Sequence, residues 1–284
     1  MFNVVLENKK GEQLTFSQNS PFTITEIQGL NPPEATINTS EVALIDGAKY
    51  NSAKVNMRQL MIAFAIQYSA SANRLQVYNV LKSKQWIRFY YTGDYRDVYI
   101  DGYIQSIDIA YFEMKQVVTC TILCPQPYFN KAQQIINELT TIVNAFHFPF
   151  ASTSEPQLVF GYYEEASSVT VVNDGDVACG MTIELYARNA VSNPKIFNYV
   201  TQDFFGLTYS MQAGDLITID TRQGQKSVTL LRNGTETNIF NAVMKNSTWL
   251  QLDPDENTFV YEVGTGKSYN LSVIFNHYDL YEGV

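Results

Sequence analysis

The dipeptide Asn233-Gly234, placed just after the apolar run Val228–Leu231, constrains this chain more than any other feature. A two-residue type I′ turn needs positive φ at both central positions, which Asn and Gly tolerate, so the sequence predicts a β-hairpin there. The surrounding region repeats that grammar. Asp215–Asp220 alternates apolar and polar residues and turns at Gln223-Gly224 before Val228. Val169–Val172 runs into Asn173-Asp174-Gly175-Asp176, and Met181–Tyr186 returns. Thr258–Val263 and Tyr269–Phe275 follow. Many short strands at even spacing predict a sandwich or barrel over residues 151–284.

The first half mixes strands with one helix. Phe22–Ile27 alternates and stops at Gly29-Leu30-Asn31-Pro32-Pro33. In Val55–Gln67, Leu60, Ile62, Phe64 and Ile66 share one face, while Met57, Met61, Ala63 and Ala65 share the other; the Ile, Phe and Val content favours strand over helix. A helix follows, capped by Ser69 or Ser71, with Leu75, Tyr78 and Leu81 at helical spacing and Val77 widening the stripe. Trp86–Tyr91, Tyr95–Ile109 and Gln116–Leu123 then read as strands. In the middle one Val98, Ile100, Gly102 and Ile104 face one way, and Asp97, Tyr99, Asp101 and Tyr103 the other. That alternation fits a sheet with a core face and a polar or partner-facing surface. Cys124-Pro125-Gln126-Pro127 ends the region, because prolines so placed cannot continue a central strand. The sequence thus predicts a mainly β chain: an N-terminal β domain over 1–130, a linker over 131–150 containing a short helix (Lys131 to Val143), and a C-terminal β domain over 151–284.

Charge divides the same way. Residues 1–130 hold 11 basic and 11 acidic side chains, whereas 131–284 hold 8 and 17, so the net charge of −9 lies entirely in the second part. An acidic domain repels a nucleic-acid backbone. Apolar residues at 45% and charged residues at 17% describe a folded chain, and 19 Tyr with 17 Phe favour half-buried pleated surfaces. No apolar run approaches the ~20 residues that span a bilayer, which argues against membrane insertion. The beginning reads as a mature β-rich terminus instead of a secretory signal, so synthesis in a cytoplasm is expected.

The candidate chemistry is sparse. Gly264-Thr265-Gly266-Lys267-Ser268 resembles a phosphate-binding loop, but Tyr261 occupies the position of its first glycine and a strand follows, so a hairpin loop is the better reading. Asp253, Asp255 and Asn257 alternate like the start of a calcium loop, yet Thr258 and Gly264 stand where that loop needs Gly and Glu. Cys120, Cys124 and Cys179 read as buried free thiols. His147 and His277 neighbour no serine nucleophile motif. A glycosidase would need two carboxylates at a set separation, and nothing selects a pair. Tyr162-Tyr163 could stack on sugar rings, although packing is the commoner use of such residues. No catalytic, cofactor or metal site is expected, and the chain is not expected to be an enzyme.

Several stretches together resemble the distal tail proteins (Dit) of long-tailed phages infecting Gram-positive bacteria. In the first half these are Thr25–Ile66 with its Gly-Leu-Asn-Pro-Pro turn, Asn73–Leu81, Asp97–Ile109 and Ile122–Phe129. In the second they are Asn173–Tyr186, Asn193–Gln202, Gly214–Gly234 and Ser247–Pro254. They occur in the family's order and cover most of the chain. One departure is the acidic Asp253–Asn257 segment, where the family more often has Pro-Gly-Asn. The resemblance implies an N-terminal ring-forming β domain that assembles as a hexamer, and a C-terminal galectin-like β-sandwich facing outward. It also implies a place in the virion at the tail tip. There the ring would join the tail tube protein to a tail-associated hub or lysin protein and anchor receptor-binding or baseplate proteins. DNA would pass through the ring without sequence-specific binding. The segment around Thr36–Tyr50 would be the arm that reaches a neighbouring subunit. The alternative is a carbohydrate-binding, adhesin-like module that contacts the cell wall, which would need exposed aromatics along one sandwich face.

Overall fold

A computed structural model describes residues 2–17, 20–41, 43, 46–111, 113, 116–138, 140–144, 161–165 and 168–284, with backbone alone at 140–144 and 161–165. The chain divides into two compact units, Met1–Ala132 with Leu280–Val284, and Gln133–Asp279. The architecture is mainly β.

In the first unit β1 (Asn3–Asn8), β2 (Gln13–Phe16) and β3 (Phe22–Gln28) precede an isolated hairpin of β4 (Ala35–Glu41) and β5 (Ala48–Val55). Strand β6 (Arg58–Ile66), helix α1 (Ala70–Val80), β7 (Trp86–Thr92), β8 (Asp97–Ile109), β9 (Gln116–Cys124) and β10 (Phe129–Lys131) complete it. The main sheet follows the order β2-β1-β7-β8-β9-β6-β3, so two strands adjacent in sequence, β2 and β3, stand at opposite ends of a seven-strand path. Six residue steps from Phe16 to Phe22 reach about 22 Å at most. Seven flat strands would be about 29 Å across. The sheet must therefore roll, and the Phe16 and Phe22 rings meet 6.1 Å apart with Phe64 packed edge-on to both. Leu6, Leu60, Ile62, Phe64, Phe89, Ile100 and Ile122 fill the interior. At Gly102 a Cβ would lie 2.5 Å from Ile122 Cγ2, so only glycine lets β8 and β9 approach as they do.

Helix α1 closes this core with Val77 and Val80, followed by Leu81, while Leu75, expected on the buried stripe, is exposed. Ser69 is the N-cap but sits in the left-handed region and makes no side-chain cap bond. Asn73 instead donates from its side chain to the Tyr68 carbonyl at 2.6 Å.

The helix expected across Lys131–Val143 does not form. Ile135–Glu138 is strand β11 and Thr140–Asn144 is β12, which pairs with β13 (Gly161–Glu165). The run of Ile135, Ile136, Thr140, Thr141, Ile142 and Val143 is dominated by β-branched residues, which lose χ1 freedom in a helix and fit a pleated sheet. The C-terminal domain expected over 151–284 also differs at its end. Leu280–Tyr281 pairs with β10 and falls with the first unit, because Asn130 faces Leu280 and Phe129 faces Tyr281 in the ladder.

The second unit continues through β14 (Val169–Asn173), β15 (Met181–Ala187), β16 (Val191–Ser192), β17 (Lys195–Asn198), β18 (Phe204–Gly206) and β19 (Ser210–Met211). After these come β20 (Leu216–Asp220), β21 (Ser227–Arg232), β22 (Thr235–Asn238), β23 (Asp255–Glu262) and β24 (Leu271–His277). Among the described residues, six strands ordered β11-β24-β15-β20-β21-β22 form one sheet and four ordered β14-β23-β17-β18 form another. Phe259 of β23 stacks on Phe275 of β24 with ring centroids 4.9 Å apart, which joins the two inner faces into one core. The β21–β22 hairpin turns at Asn233 and Gly234, both at positive φ.

A half-buried ion pair fastens this unit. Asp215, 1% exposed, receives Arg232 Nε at 2.7 Å and Nη2 at 2.5 Å, and the Gln212 backbone N–H at 2.7 Å. The Arg232 hydrogen bonds hold the Asp215 carboxyl below the ordinary carboxylate range, against an opposing push from burial. A carboxyl with a depressed folded pKa contributes stability that is complete above its unfolded value, about 3.9, and is lost as pH falls through the folded one. The melting temperature of the second unit is therefore expected to fall below about pH 4, and Asp215→Asn to lower it at neutral pH while flattening that acid limb. Calorimetry from neutral to acid pH measures both effects.

Candidate assembly surface

The β4–β5 hairpin pairs with no other strand among the described residues, so both of its outer edges are free. From Ala35 to Lys54 every described strand residue is exposed. A lone two-stranded ribbon is marginally stable in water. This one compensates on one face with a ladder of polar side chains. Asn56 Nδ2 donates to Thr36 Oγ1 at 2.9 Å, Asn38 Nδ2 to Ser52 Oγ at 3.0 Å and Ser40 Oγ to Asn51 Oδ1 at 3.4 Å.

The other face is largely apolar toward its base, with Glu41 opposite Ala48 near the tip. Ala35 opposes Val55, Ile37 opposes Ala53, and after a bulge Thr39 opposes Tyr50. Ile37 is 62% exposed and Tyr50 61%, so nothing in their own unit covers them. The hairpin is thus an amphipathic arm with a solvent-facing apolar side. Its base is firmly held, since the Asn56 N–H donates to the Glu34 carbonyl at 3.2 Å and buried Arg58 follows two residues later.

A second outward face lies on β7 and β8. Arg88 makes a fork with Asp101, Nε to Oδ1 at 2.6 Å and Nη2 to Oδ2 at 2.9 Å. Its guanidinium lies 4.2 Å from the Tyr99 ring centroid and 5.3 Å from that of Trp86. This is the polar and aromatic side of the alternation read in Asp97–Tyr103.

The residues considered for chemistry are scattered. Gly264–Ser268 forms a loop in which the Gly264 N–H bonds the Ser192 carbonyl at 2.7 Å, and a 3₁₀ turn leads straight into β24, so no helix N-terminus is present to hold phosphate. The Asp253–Asn257 turn is closed on itself by Asn257, whose side chain donates to the Asp253 carbonyl at 2.7 Å and accepts the Asp253 N–H at 3.0 Å. Cys120, Cys124 and Cys179 are buried free thiols, each pushed up to about 12 by burial. His277 is buried with Nε2 3.2 Å from the Val172 carbonyl and 3.3 Å from Asp279. His147 lies outside the described residues, as do the side chains of Tyr162 and Tyr163. Among the described residues no group of three or more His, Cys, Asp or Glu side chains is placed to hold a metal ion. Ile37 and Tyr50 escaped a reading by motif because they occur in a polar run; their common signal is alternation across a hairpin.

Residues 174–277 match the family model described as siphovirus-type tail component, C-terminal domain. The crystal structure of SPP1 Dit, described as a paradigm of the hub adsorption apparatus in phages infecting Gram-positive bacteria, resembles this chain with a TM-score of 0.66. The two are 14% identical, and 98% of each is covered. A chain of the phage P2 baseplate in its activated conformation with Ca matches at a TM-score of 0.56 and 10% identity over 100% of both chains. The Sr form of the same baseplate matches at 0.51 and 10%, again over 100% of both. At these identities the likeness to the solved structures is one of fold. No curated protein sequence matches the chain.

Proposed function

From the premise that residues 174–277 are a siphovirus-type tail component domain, in a chain with the fold of Dit, we propose that this protein is a structural ring subunit of a phage tail tip. Six copies close a ring through their first units and join the tail tube to the tail-tip hub. The second unit, a galectin-like sandwich, carries receptor-binding or other baseplate proteins. The chain itself catalyses no reaction.

The observation that carries this reading is the β4–β5 arm. An amphipathic ribbon with two free edges and an uncovered apolar face is a poor investment for a monomer, because exposed edges invite pairing with another chain. It fits a heterologous, head-to-tail contact in which each subunit inserts its arm onto the next, the kind of contact that builds a ring when the rotation between subunits closes. Electron microscopy of negatively stained protein, with multi-angle light scattering, tests the reading. Closed six-membered rings are expected. A strictly monomeric species at every concentration and in every assembly state would overturn it.

A further inference from the structure

The four-stranded sheet of the second unit carries a second apolar strip, half-exposed and on a different unit from the arm. On its outer face Val260 of β23 opposes Phe197 of β17, and Phe197 opposes Phe204 of β18. The two phenylalanine rings lie 5.8 Å apart and all three residues are partly exposed. The strip runs into the β17–β18 turn, where Tyr199 is 67% and Val200 68% exposed.

That turn is held firmly. Buried Asn198 accepts the Val200 N–H at 2.9 Å and the Thr201 N–H at 3.2 Å through its side chain. Its backbone N–H bonds the Asp203 carbonyl at 2.9 Å, and Gln202 Nε2 donates to the Tyr199 carbonyl at 2.6 Å. The fold gains nothing from apolar side chains at such a tip, yet the tip is rigid, which is the arrangement of a preorganised contact.

The rim is acidic. Glu256 and Glu262 lie exposed on the same face of β23 at either end of the strip, and Asp203 is exposed beside Phe204. Lys195 is the cation on this face, 6.0 Å from the Phe204 ring. We infer that this face, centred on Phe197, Tyr199, Val200, Phe204 and Val260, is a docking surface for a protein that presents an apolar cleft ringed by Lys and Arg. The net charge of −9, all within the second part of the sequence, steers such a partner towards it. A sugar is the weaker fit. Two rings inclined at 37° with aliphatic neighbours offer no flat platform, whereas an apolar centre with a charged rim is the anatomy of a protein interface.

A random dodecapeptide library selected on the immobilised full-length protein tests this. Enriched peptides should combine aromatic or aliphatic residues with Lys or Arg. They should bind the doubly substituted Tyr199→Ser, Val200→Ser protein at least about 10-fold more weakly, and lose affinity as salt rises. Glu256→Lys with Glu262→Lys should shift the selection towards acidic peptides. Both side chains of the first variant are exposed, so its melting curve should match the wild type, and its ring assembly should be unchanged. The inference falls if no peptide distinguishes the proteins or if the enriched peptides are not basic. It falls equally if a glycan array gives binding that the first variant abolishes, or if that variant alone removes self-association. None of these outcomes depends on whether the first unit forms a ring.

Discussion

Replacing Ile37 and Tyr50 together by aspartate is expected to leave the chain folded and stop it as a monomer. Both side chains are more than half exposed on an arm that no other described strand pairs with, so folding does not depend on them. In the proposed ring their faces would be buried against the next subunit. Each large apolar side chain so buried contributes about 1.5–3 kcal/mol, and a carboxylate in its place adds a desolvation cost. Losing two such contacts weakens each subunit interface by about 1000-fold or more, and a closed ring repeats the loss at every joint. Sedimentation velocity should show a single slow species, with a thermal melt like that of the wild type. Lys54→Glu, on the polar face of the same arm, is the control and should assemble nearly as well. Rings of the double variant equal in stability to wild type would place the subunit contact elsewhere.

The sequence was legible wherever a residue's partner lies nearby or the strand period is clean. Val98, Ile100, Gly102 and Ile104 read as the inner face of β8 because alternate residues must share a side, and the Asn233-Gly234 turn needs no distant information. Three features were illegible for physical reasons. Ile135–Asn144 offers both periodicities; its β-branched content leans to strand, but the pairings that fix it, β11 with β24 more than 130 residues later and β12 with β13, are distant in sequence. Leu75 fits a helical stripe, but α1 turns Val77 and Val80 to the core because the rolled sheet sets the direction of its open side. The return of Leu280–Val284 to the first unit has no local signature; its partners are carbonyl-seeking arginines and a three-residue strand far upstream. The apolar strip of the four-stranded sheet shows the same limit, since Phe197, Phe204 and Val260 become neighbours only through pairing.

That return gives the second large expectation, a destabilised first unit in Arg58→Ala. Arg58 opens β6, is 4% exposed, and sends its hydrogen bonds to four backbone carbonyls in three separate segments. Nε donates to Pro127 at 2.5 Å, Nη1 to Gly29 and, at 2.7 Å, to Asn31, and Nη2 to Glu282 at 2.6 Å. The guanidinium also lies 4.5 Å from the Phe129 ring centroid. Burial lowers its pKa from the usual arginine value, yet no ordinary pH removes the charge, so the carbonyls must solvate it permanently. Alanine leaves those carbonyls without their donor in a closed space, at a cost of about 3–5 kcal/mol. A unit of this size should then melt about 10–15 °C lower, while the second unit keeps its own transition. Arg58→Lys should recover only part of the loss, because an ammonium cannot present a planar fork to four directions at once. Hydrogen exchange distinguishes this clamp from generic packing. In Arg58→Ala the amide of Val284, which bonds the Leu30 carbonyl, and those of Leu280–Tyr281 should exchange before the interior of β8 does. Arg96, which donates to the Gly283 carbonyl at 2.6 Å and covers the Tyr281 ring at 4.3 Å, is then the arginine left to hold the segment beside its pairing with β10. A variant that melts within about 2 °C of wild type, with those amides still protected, would show that pairing with β10 suffices to keep the returning strand in place.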